Sequence, residues 1–504
     1  MLTGLTGCAV GPNFISPPKP EAARFTAEKL PAIEGSKGSL HLVFGQDIPE
    51  RWWQVFHNKA LNDLVEASIK NNPTLPAAEA AIKVAYYNAE AQKGGFLPSA
   101  IFNSSDSSNY QGRNQFATSP GGPTNPYAIF LKQLTVSYTP DVWGGNRRAV
   151  ESLEAQTDQQ RYQLEAAYLT LTTNVITGAI NEASLRGQIE AIQKVIVIER
   201  ELLDLVRKQK TAGYAAETDV LTQETALAQA LELLPPLAKQ LAQQRDQLTA
   251  LAGNYSGSEV PEKFVLKSIA VPKSLPVRLP SEFIRQRPDV RTAEANMHSA
   301  SALIGVAVAA RLPNITLSAA GGYSSYSLGQ LLTPGSAFYT LTAGVTQPIF
   351  EGFTLLNKQK AAEAGLLQAE AQYRLAVITA FQNVADALQA LQADSDAVKA
   401  TVYAEDLALR NLEIVRAQLK IGYVNILTVL NAEQAYLQAV QNHVQAEGNR
   451  LADVAGLVMA LGGDWKDQNL KNLPPVGPIV TASDKDKISK ITDGPVNTSW
   501  IPSF

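Results

Sequence analysis

The sequence contains very little of the chemistry that disulfides, metal sites and nucleic-acid contacts require. It has one cysteine, Cys8, together with four histidines and three methionines in 504 residues. A single cysteine excludes an internal disulfide and a cysteine-based zinc site, and the histidines lack metal-ligand spacing. The formal net charge of -4 provides no basic stripe for nucleic acid. We therefore expect no metal, no cofactor and no nucleic-acid partner.

Long apolar runs and catalytic motifs are missing as well. No stretch of about 18 apolar residues is present, so any membrane crossing would have to be made by strands. The sequence has no Gly-Lys phosphate loop, no His-Glu-x-x-His motif and no nucleophile elbow. Its many carboxylates lie on the polar faces of predicted helices, and we do not expect an enzyme.

The sequence does contain an internal repeat with an offset of about 210 residues. Each copy has the pattern of a helix, a pair of alternating strands and further long helices. The landmarks are 96–98, 143–145, 212–214 and 251–253 in the first copy, and 311–313, 350–352, 421–423 and 461–463 in the second. The repeat predicts one elongated body instead of several separate domains.

Alternating apolar and polar residues predict two strands in each copy. In the second copy, Ile315, Leu317 and Ala319 alternate with Thr316 and Ser318, which indicates a sheet with one apolar face. The predicted strands span about 99–111, 128–142, 314–327 and 337–350.

Alternation alone fits either a soluble sandwich with its apolar face inward or a membrane barrel. Prolines frame the hairpins, at Pro98, Pro140, Pro313 and Pro348, where strands begin and end. Aromatic residues lie near the same ends, at Tyr127, Phe130, Trp143, Phe338, Tyr339 and Phe350. Aromatic girdles are typical of outer-membrane barrels. Because a barrel needs roughly eight or more strands, four strands per chain predict a barrel shared among identical chains.

The helical segments carry sustained heptad patterns. Residues 146–211 contain no proline, and their apolar spacing is interrupted by Glu199. A second heptad register, from Phe381 to Leu419, has as its exceptions Ser395, Glu405 and Arg416. Such patterns predict coiled-coil packing. A helix of about 65 residues is about 100 Å long, so we expect it to project from the membrane. Tight turns are predicted at 212–215 and 421–425.

Several sequence blocks together resemble the TolC/OprM-like outer-membrane factors, which are the outer-membrane efflux lipoproteins of tripartite efflux systems. The main block is 279–294, which reads Leu-Pro-Ser-Glu-Phe-Ile-Arg-Gln-Arg-Pro-Asp-Val-Arg-Thr-Ala-Glu. The other blocks are 8–14, 52–56, 61–73, 304–307, 312–313 and 346–352. The resemblance covers the chain from Cys8 to about Gly463.

This resemblance implies a mixed, mainly α fold in a homotrimer. Long coiled-coil helices would form a periplasmic α-barrel, and four strands per chain would contribute to a shared twelve-stranded transmembrane β-barrel. The implied regions are a lipoprotein signal remnant with the acylation site (1–8), an N-terminal and equatorial segment (9–54), the first repeat (55–253), an equatorial insertion (254–280), the second repeat (281–463) and an equatorial or partly disordered tail (464–504).

The resemblance also implies the mechanism and the partners. The protein would be a passive outer-membrane conduit that opens at its helical tip when it docks to a periplasmic adaptor, or membrane fusion protein, and an inner-membrane pump of the RND type. Residues Leu5-Thr6-Gly7-Cys8 match a lipoprotein processing pattern, so Cys8 is the expected site of acylation, palmitate included, and of anchoring to outer-membrane lipid. The alternatives are a duct for type I protein secretion and a non-conducting structural coiled-coil lipoprotein.

The expected gate lies at the two helical tips. Gly213 and Tyr214 would face the adaptor, and the gate residues would be Asp219, Leu419, Gly422, Tyr423, Ile426, Thr428, Leu430 and Asn431. Asp219 matches a family acid that would form a negative ring, but an acid at a helix N-terminus is equally expected from the helix dipole. Many relatives carry aspartates at the inner tip, where this chain has Thr428 and Asn431. We therefore predict an apolar constriction with Asn431 as a neutral ring.

Overall fold

The chain folds as two copies of one arrangement of helices and strands. The computed structural model describes residues 9–18, 24–26, 33–35, 38–110, 126–272, 274–277 and 283–463. The predicted acylation site Cys8 and the tail 464–504 lie outside the described residues. Gly213 and Gly422 are 209 positions apart, as are Gly253 and Gly462, and all four have positive φ. The repeat is therefore a repeat of backbone geometry as well as of sequence.

In both copies a helix leads into a strand pair, which is followed by a helix of 67 residues and a helical segment that runs back from its tip. The first half contains β1 (Ile33–Gly35), β2 (Gly38–Phe44), α1 (Lys59–Asn71), α2 (Thr74–Lys93), β3 (Ser99–Asn109), β4 (Tyr127–Tyr138), α3 (Gly145–Thr211), α4 (Glu217–Glu232) and α5 (Leu234–Leu251). The second half contains β5 (Ser274–Val277), α6 (Pro288–Ala309), β6 (Asn314–Ser325), β7 (Ala337–Thr346), α7 (Thr354–Lys420) and α8 (Ile426–Ala460). The predicted mixed, mainly α fold is confirmed.

The two hairpins join into one antiparallel sheet with the strand order β3-β4-β6-β7. The central contact is between β4 and β6, where Leu134 pairs with Gly321. β4 ends at Tyr138 and β7 ends at Thr346, a few residues earlier than the alternation predicts. The reason is that Pro140 and Pro348 have no backbone N–H with which to extend the ladder.

One face of this sheet is mainly apolar, apart from an ion pair between Lys132 and Asp106, and the described residues do not cover it. Its register places the following side chains on that face: Phe102, Leu134, Leu317, Tyr323, Tyr339, Leu341 and Val345. Each of them is between 38% and 81% exposed in the described part of the chain. A soluble sandwich would bury this face inside its own core, so the sheet does not fit that alternative.

A second, three-stranded sheet connects the N-terminal segment to the segment between the repeats. β2 pairs antiparallel with β1 and parallel with β5. Close to β2 in sequence, Trp52, Trp53 and Phe56 form a single buried 3₁₀ turn. These large side chains anchor the segment that precedes α1 against the body of the protein, because burying an aromatic side chain contributes about 1.5–3 kcal/mol.

Arg287, in the sequence block 279–294, connects the beginning of α6 to the end of α8. Arg287 is almost fully buried, and its Nη2 lies 2.6 Å from Asp289 Oδ2. Its Nη1 donates a hydrogen bond to the backbone carbonyl of Ala460 at the end of α8. The start of the second repeat is thereby fastened to its end.

The long helices pack largely as the heptads predict, although Leu409 of the second register is 37% exposed. α3 and α7 each have 67 residues, which corresponds to a length of about 100 Å. Val384, Leu388, Leu391 and Val398 of α7 are at most 1% exposed. None of the described helices is both long enough and apolar enough to cross a membrane.

Candidate gate at the helical tips

Both long helices end in the same turn at the tip. Gly213 and Gly422 have φ values of 80° and 75°, in the left-handed region that favours glycine. The N–H of Tyr214 donates to the Gln209 carbonyl at 2.8 Å, and the N–H of Tyr423 donates to the Gln418 carbonyl at 2.9 Å. These are Schellman contacts, which satisfy the last carbonyls of a helix.

The two tyrosines that follow these glycines are the most exposed aromatic side chains of the tip. Tyr214 is 86% exposed and Tyr423 is 78% exposed. Large exposed aromatic side chains are enriched where a protein meets a partner. The geometry of Gly213 and Gly422 therefore presents a tyrosine outward at the end of each helix pair.

Asp219 lies at the N-terminus of α4 and caps it. Its Oδ2 accepts a hydrogen bond of 2.8 Å from the N–H of Ala216, and the neighbouring Glu217 pairs with Lys210 of α3. A carboxylate in this position satisfies an orphan donor and interacts favourably with the helix dipole. Asp219 therefore has, within one chain, the helix-terminus role that the sequence analysis gave as the alternative to a negative ring.

The apolar residues expected at the inner tip lie between helices. Leu419 is 7% exposed and packs in a cluster with Leu412, Val415 and Val429. Ile426 is half-buried and contacts this cluster as well as a second one on α3 and α4. Ile426 is therefore a point at which the α7–α8 pair contacts the α3–α4 pair.

Leu430 is also largely covered, whereas the polar residues expected at the gate are exposed. Leu430 is 7% exposed, and Thr428 and Asn431 lie on the surface of α8. The N–H and the hydroxyl of Thr428 both donate to Oδ1 of Asn425, at 3.1 and 2.8 Å. Thr428 and Asn425 together cap α8. The structure brings Leu419 and Ile426 into one cluster but leaves Asn431 outside it.

The tip also contains ion pairs that the sequence did not predict. Arg207 of α3 and Glu224 of α4 are 2.6 Å apart, and Arg416 of α7 and Glu433 of α8 are 2.9 Å apart. Both pairs have a spacing of 17 residues and occupy equivalent positions of the repeat. They differ in burial, because the side chain of Glu224 is 41% exposed and that of Glu433 is 2% exposed.

A signal for the buried pair was present in the heptad pattern. Glu199 and Arg416 were both exceptions among otherwise apolar heptad positions. In the structure, Glu199 bonds to Gln223 of α4, while Arg416 bonds to Glu433. Charged residues in an apolar seam are expected to have partners, because an unpaired buried charge is costly.

Comparisons with known proteins agree with this architecture. The family described as outer membrane efflux protein matches residues 64–254 and 279–463, which are the two repeats. The pyoverdine export outer membrane protein OpmQ of Pseudomonas putida is 27% identical over 426 residues, covering 84% of this chain and 90% of OpmQ. The toluene efflux pump outer membrane protein TtgC of Pseudomonas putida is also 27% identical, covering 92% of this chain and 94% of TtgC.

A solved structure shares the fold. The CmeC outer membrane channel of Campylobacter jejuni superposes with a TM-score of 0.81 at 21% identity, covering 92% of this chain and 98% of CmeC. Because the family match spans both repeats, the chain belongs to the outer membrane efflux protein family. It is an efflux channel component of the outer membrane with a large periplasmic extension.

Proposed function

We propose that three copies of the chain form one passive conduit from the periplasm to the exterior. The observation that carries this proposal is the sheet β3-β4-β6-β7, whose outer strands have no neighbour among the described residues. Unpaired strand edges are costly in lipid, where no water can bond to the orphan N–H and carbonyl groups. Joining three such sheets edge to edge gives twelve strands, which is enough to close a barrel.

The exposed apolar face of the sheet supports its placement in lipid. Phe102, Leu341 and Val345 are each more than 60% exposed on this face, whereas soluble monomers rarely expose large contiguous apolar patches. In the closed barrel this face would contact the acyl chains. The opposite face carries many hydroxyl groups, including those of Thr135 and Thr342, and would line the pore.

The helices offer a second surface for neighbouring copies. An exposed apolar stripe runs along the last part of α7 and onto its C-cap residue, at steps of four and seven, and its members are between 47% and 80% exposed: Tyr403, Leu407, Ile414 and Ile421. This spacing places the four side chains in one stripe on the helix. We propose that the stripe packs against an adjacent copy, so that the helices form a tunnel continuous with the barrel.

The N-terminal segment supports a lipid anchor at Cys8. The N–H of Val10 donates to the Trp143 carbonyl at 3.0 Å, at the junction between β4 and α3. The buried Arg148 donates to the carbonyl of Val10 at 3.1 Å and to Asn13 Oδ1 at 2.6 Å. Residue 10 is therefore held where the strands leave the proposed membrane region, which is where an acylated Cys8 would enter the lipid.

We further propose that the tips are the docking and gating end. Gly213 and Tyr214 would contact a periplasmic adaptor that connects the channel to an inner-membrane pump, and the α7–α8 pair would move outward on opening. Leu419, Ile426 and Leu430 would keep that pair in its closed position by apolar packing. The exposed Thr428 and Asn431 would form neutral rings around the axis, together with the turn at Gly422 and Tyr423.

Single-channel conductance in planar bilayers tests both the conduit and its apolar closure. Leu430→Ser replaces a buried leucine with a polar side chain, and we expect a higher conductance or open probability than in the unaltered protein. Leu221→Ser is the matched control, because Leu221 is the repeat counterpart of Leu430 but is 53% exposed. We expect the control to behave like the unaltered protein.

The possible results separate the alternatives. A protein that never conducts would favour a structural coiled-coil lipoprotein over a channel. A conducting protein in which Leu430→Ser stays as closed as the unaltered one would show that the apolar packing does not close the tip.

A further inference from the structure

Four helices meet near the tip, and each contributes one polar side chain to a common cluster. The members are Glu199 of α3, Gln223 of α4, Arg416 of α7 and Glu433 of α8. Glu199, Gln223 and Glu433 are at most 5% exposed. We refer to these four residues as the tip cluster.

The tip cluster lies where the α3–α4 pair contacts the α7–α8 pair. Gln223 Nε2 donates to the backbone carbonyl of Glu199 at 3.3 Å and also to its carboxylate. Arg416 Nη2 donates to Glu433 Oε1 at 2.9 Å. The carboxyl group of Glu199 is near enough to that of Glu433 to raise its pKa. Leu202 of α3 packs in one apolar cluster with Val429 and Ala432 of α8, so the two carboxyl groups belong to helices that are in contact.

The charges of the tip cluster balance only if one proton is present. Two ionised carboxylates and one guanidinium would leave one net negative charge on two glutamates that are at most 5% exposed, although the Arg416 side chain is 28% exposed, and such a buried charge is unfavourable. With one carboxyl group protonated, one carboxylate faces one guanidinium and the cluster is neutral.

Three buried atoms of the tip cluster have no hydrogen-bond partner among the described residues, namely Glu433 Oε2, Gln223 Oε1 and Arg416 Nε, and the first of them bears on this count. Glu433 Oε2 is buried and has no hydrogen-bond donor among the described residues. A proton held between the two carboxyl groups would supply the missing hydrogen bond. Burial and the neighbouring Glu199 together raise the pKa of Glu433 to about 8.

We propose that Glu199 and Glu433 share one proton at neutral pH, and that this proton fastens the α7–α8 pair to the α3–α4 pair in the closed tip. The first half of this proposal concerns one chain alone, and the second half rests on the proposed gating function.

The direction of the pH effect follows from the same groups. A carboxyl group with a raised pKa in the folded state stabilises that state at low pH, and the stabilisation is lost as the pH rises through the folded-state pKa. The charged groups that face Glu433 are Glu199 from α3 and Arg416 from α7, while α4 contributes the uncharged Gln223. Loss of the proton leaves two carboxylates repelling each other between α3 and α8, the helices that must separate on opening.

Infrared spectroscopy of the purified channel tests the shared proton. The difference spectrum between the unaltered protein and Glu433→Gln at neutral pH should contain the band of one protonated carboxyl group per chain, and Glu199→Gln should remove the same band. Glu224→Gln is the matched control, since Glu224 is the exposed repeat counterpart of Glu433, and it should leave the band in place. A band that survives in both Glu199→Gln and Glu433→Gln would overturn the proposal.

The double variant Glu199→Gln/Glu433→Gln adds an independent measurement. Each single variant keeps one carboxylate for Arg416, whereas the double variant leaves that guanidinium without one. The double variant should therefore lose more thermal stability than the two single variants combined. Additive losses would contradict the sharing of one proton.

Single-channel conductance tests whether the shared proton holds the α7–α8 pair to the α3–α4 pair. Open probability should rise with pH around the titration of Glu433, by about tenfold per pH unit for each proton released. Glu433→Gln should abolish that rise, and Glu224→Gln should retain it. A conducting channel whose pH response is unchanged by Glu433→Gln would overturn the fastening role. A protein that does not conduct would refute the proposed function instead, and the infrared result would still decide whether the proton is shared.

Discussion

A buried carboxylate holds the segment between the two repeats, and its removal should loosen that segment selectively. Glu182 of α3 is 0% exposed. Its Oε1 accepts hydrogen bonds from Arg186 Nε and from Arg245 Nη1, each at 2.8 Å. Its Oε2 accepts a hydrogen bond from the N–H of Phe264 at 3.4 Å. Arg245 also donates to the Val260 carbonyl at 2.6 Å. Glu182 therefore holds the segment 260–264 directly, at Phe264, and also through Arg245, at Val260.

The expected loss of stability in Glu182→Gln follows from the burial of both partners of the ion pair. Removing one partner of a buried ion pair typically costs about 3–5 kcal/mol, because the other charge is left without compensation. Glu182→Gln keeps the shape and some hydrogen bonding, so we expect a loss at the lower end, about 3 kcal/mol. Since about 1.4 kcal/mol corresponds to a factor of ten, local opening of the segment should become roughly a hundredfold more frequent.

Hydrogen–deuterium exchange measured by mass spectrometry reports this opening. Peptides that contain the Phe264 amide should exchange faster in Glu182→Gln, while peptides from α7 should not change. Glu259→Gln is the control, because Glu259 pairs with the same Arg245 but its side chain is 59% exposed, and exposed pairs contribute little. Equal acceleration in both variants would refute the argument that burial of Glu182 is decisive.

Three further predictions concern other parts of the chain. Arg148→Ala should release the N-terminal segment, which would be measured as faster proteolysis of the first residues. Gly253→Ala should lower the apparent melting temperature, because φ is 78° and the added Cβ would lie 2.5 Å from the Asn71 carbonyl oxygen; the left-handed backbone alone costs about 1–2 kcal/mol. Burial and the adjacent Asp394 raise the pKa of Asp453 to about 7. The stabilisation that protonated Asp453 gives the folded state should therefore be lost as the pH rises through that value. Thermal unfolding of Asp453→Asn should show a weaker pH dependence than that of the unaltered protein, by up to about 1.4 kcal/mol per pH unit.

Local patterns were sufficient to predict most of the fold. The alternation around Ile315 and the heptads of α7 each specify one apolar face, and both elements form where these patterns occur. The turns at Gly213 and Gly422 follow from backbone chemistry alone. These features need no information about distant residues.

The buried polar contacts could not be predicted in the same way. The pairs Arg207–Glu224 and Arg416–Glu433 have identical spacing, and only the packing of α3 and α4 against α7 and α8 makes one exposed and the other buried. Glu199 was visible as an interruption of the heptads, but its partner depends on the register between helices. The same holds for the proposed apolar constriction around Leu419, because its composition can be read from the sequence but the helix against which each side chain packs cannot.

The helical segments that follow the two tips differ in a way that has mechanical consequences. The segment after the turn at Gly213 is divided at Leu233 into α4 and α5, whereas the segment after the turn at Gly422, α8, runs without interruption for 35 residues. An unbroken helix of that length is a stiff lever of about 50 Å. Turning it by about 10° about its base would displace its far end by roughly 9 Å, with no change of secondary structure. The α4–α5 segment can bend at its division and absorb the same load, so in the proposed gating motion a small torque at one end of α8 would produce a wide aperture on the α7–α8 side only.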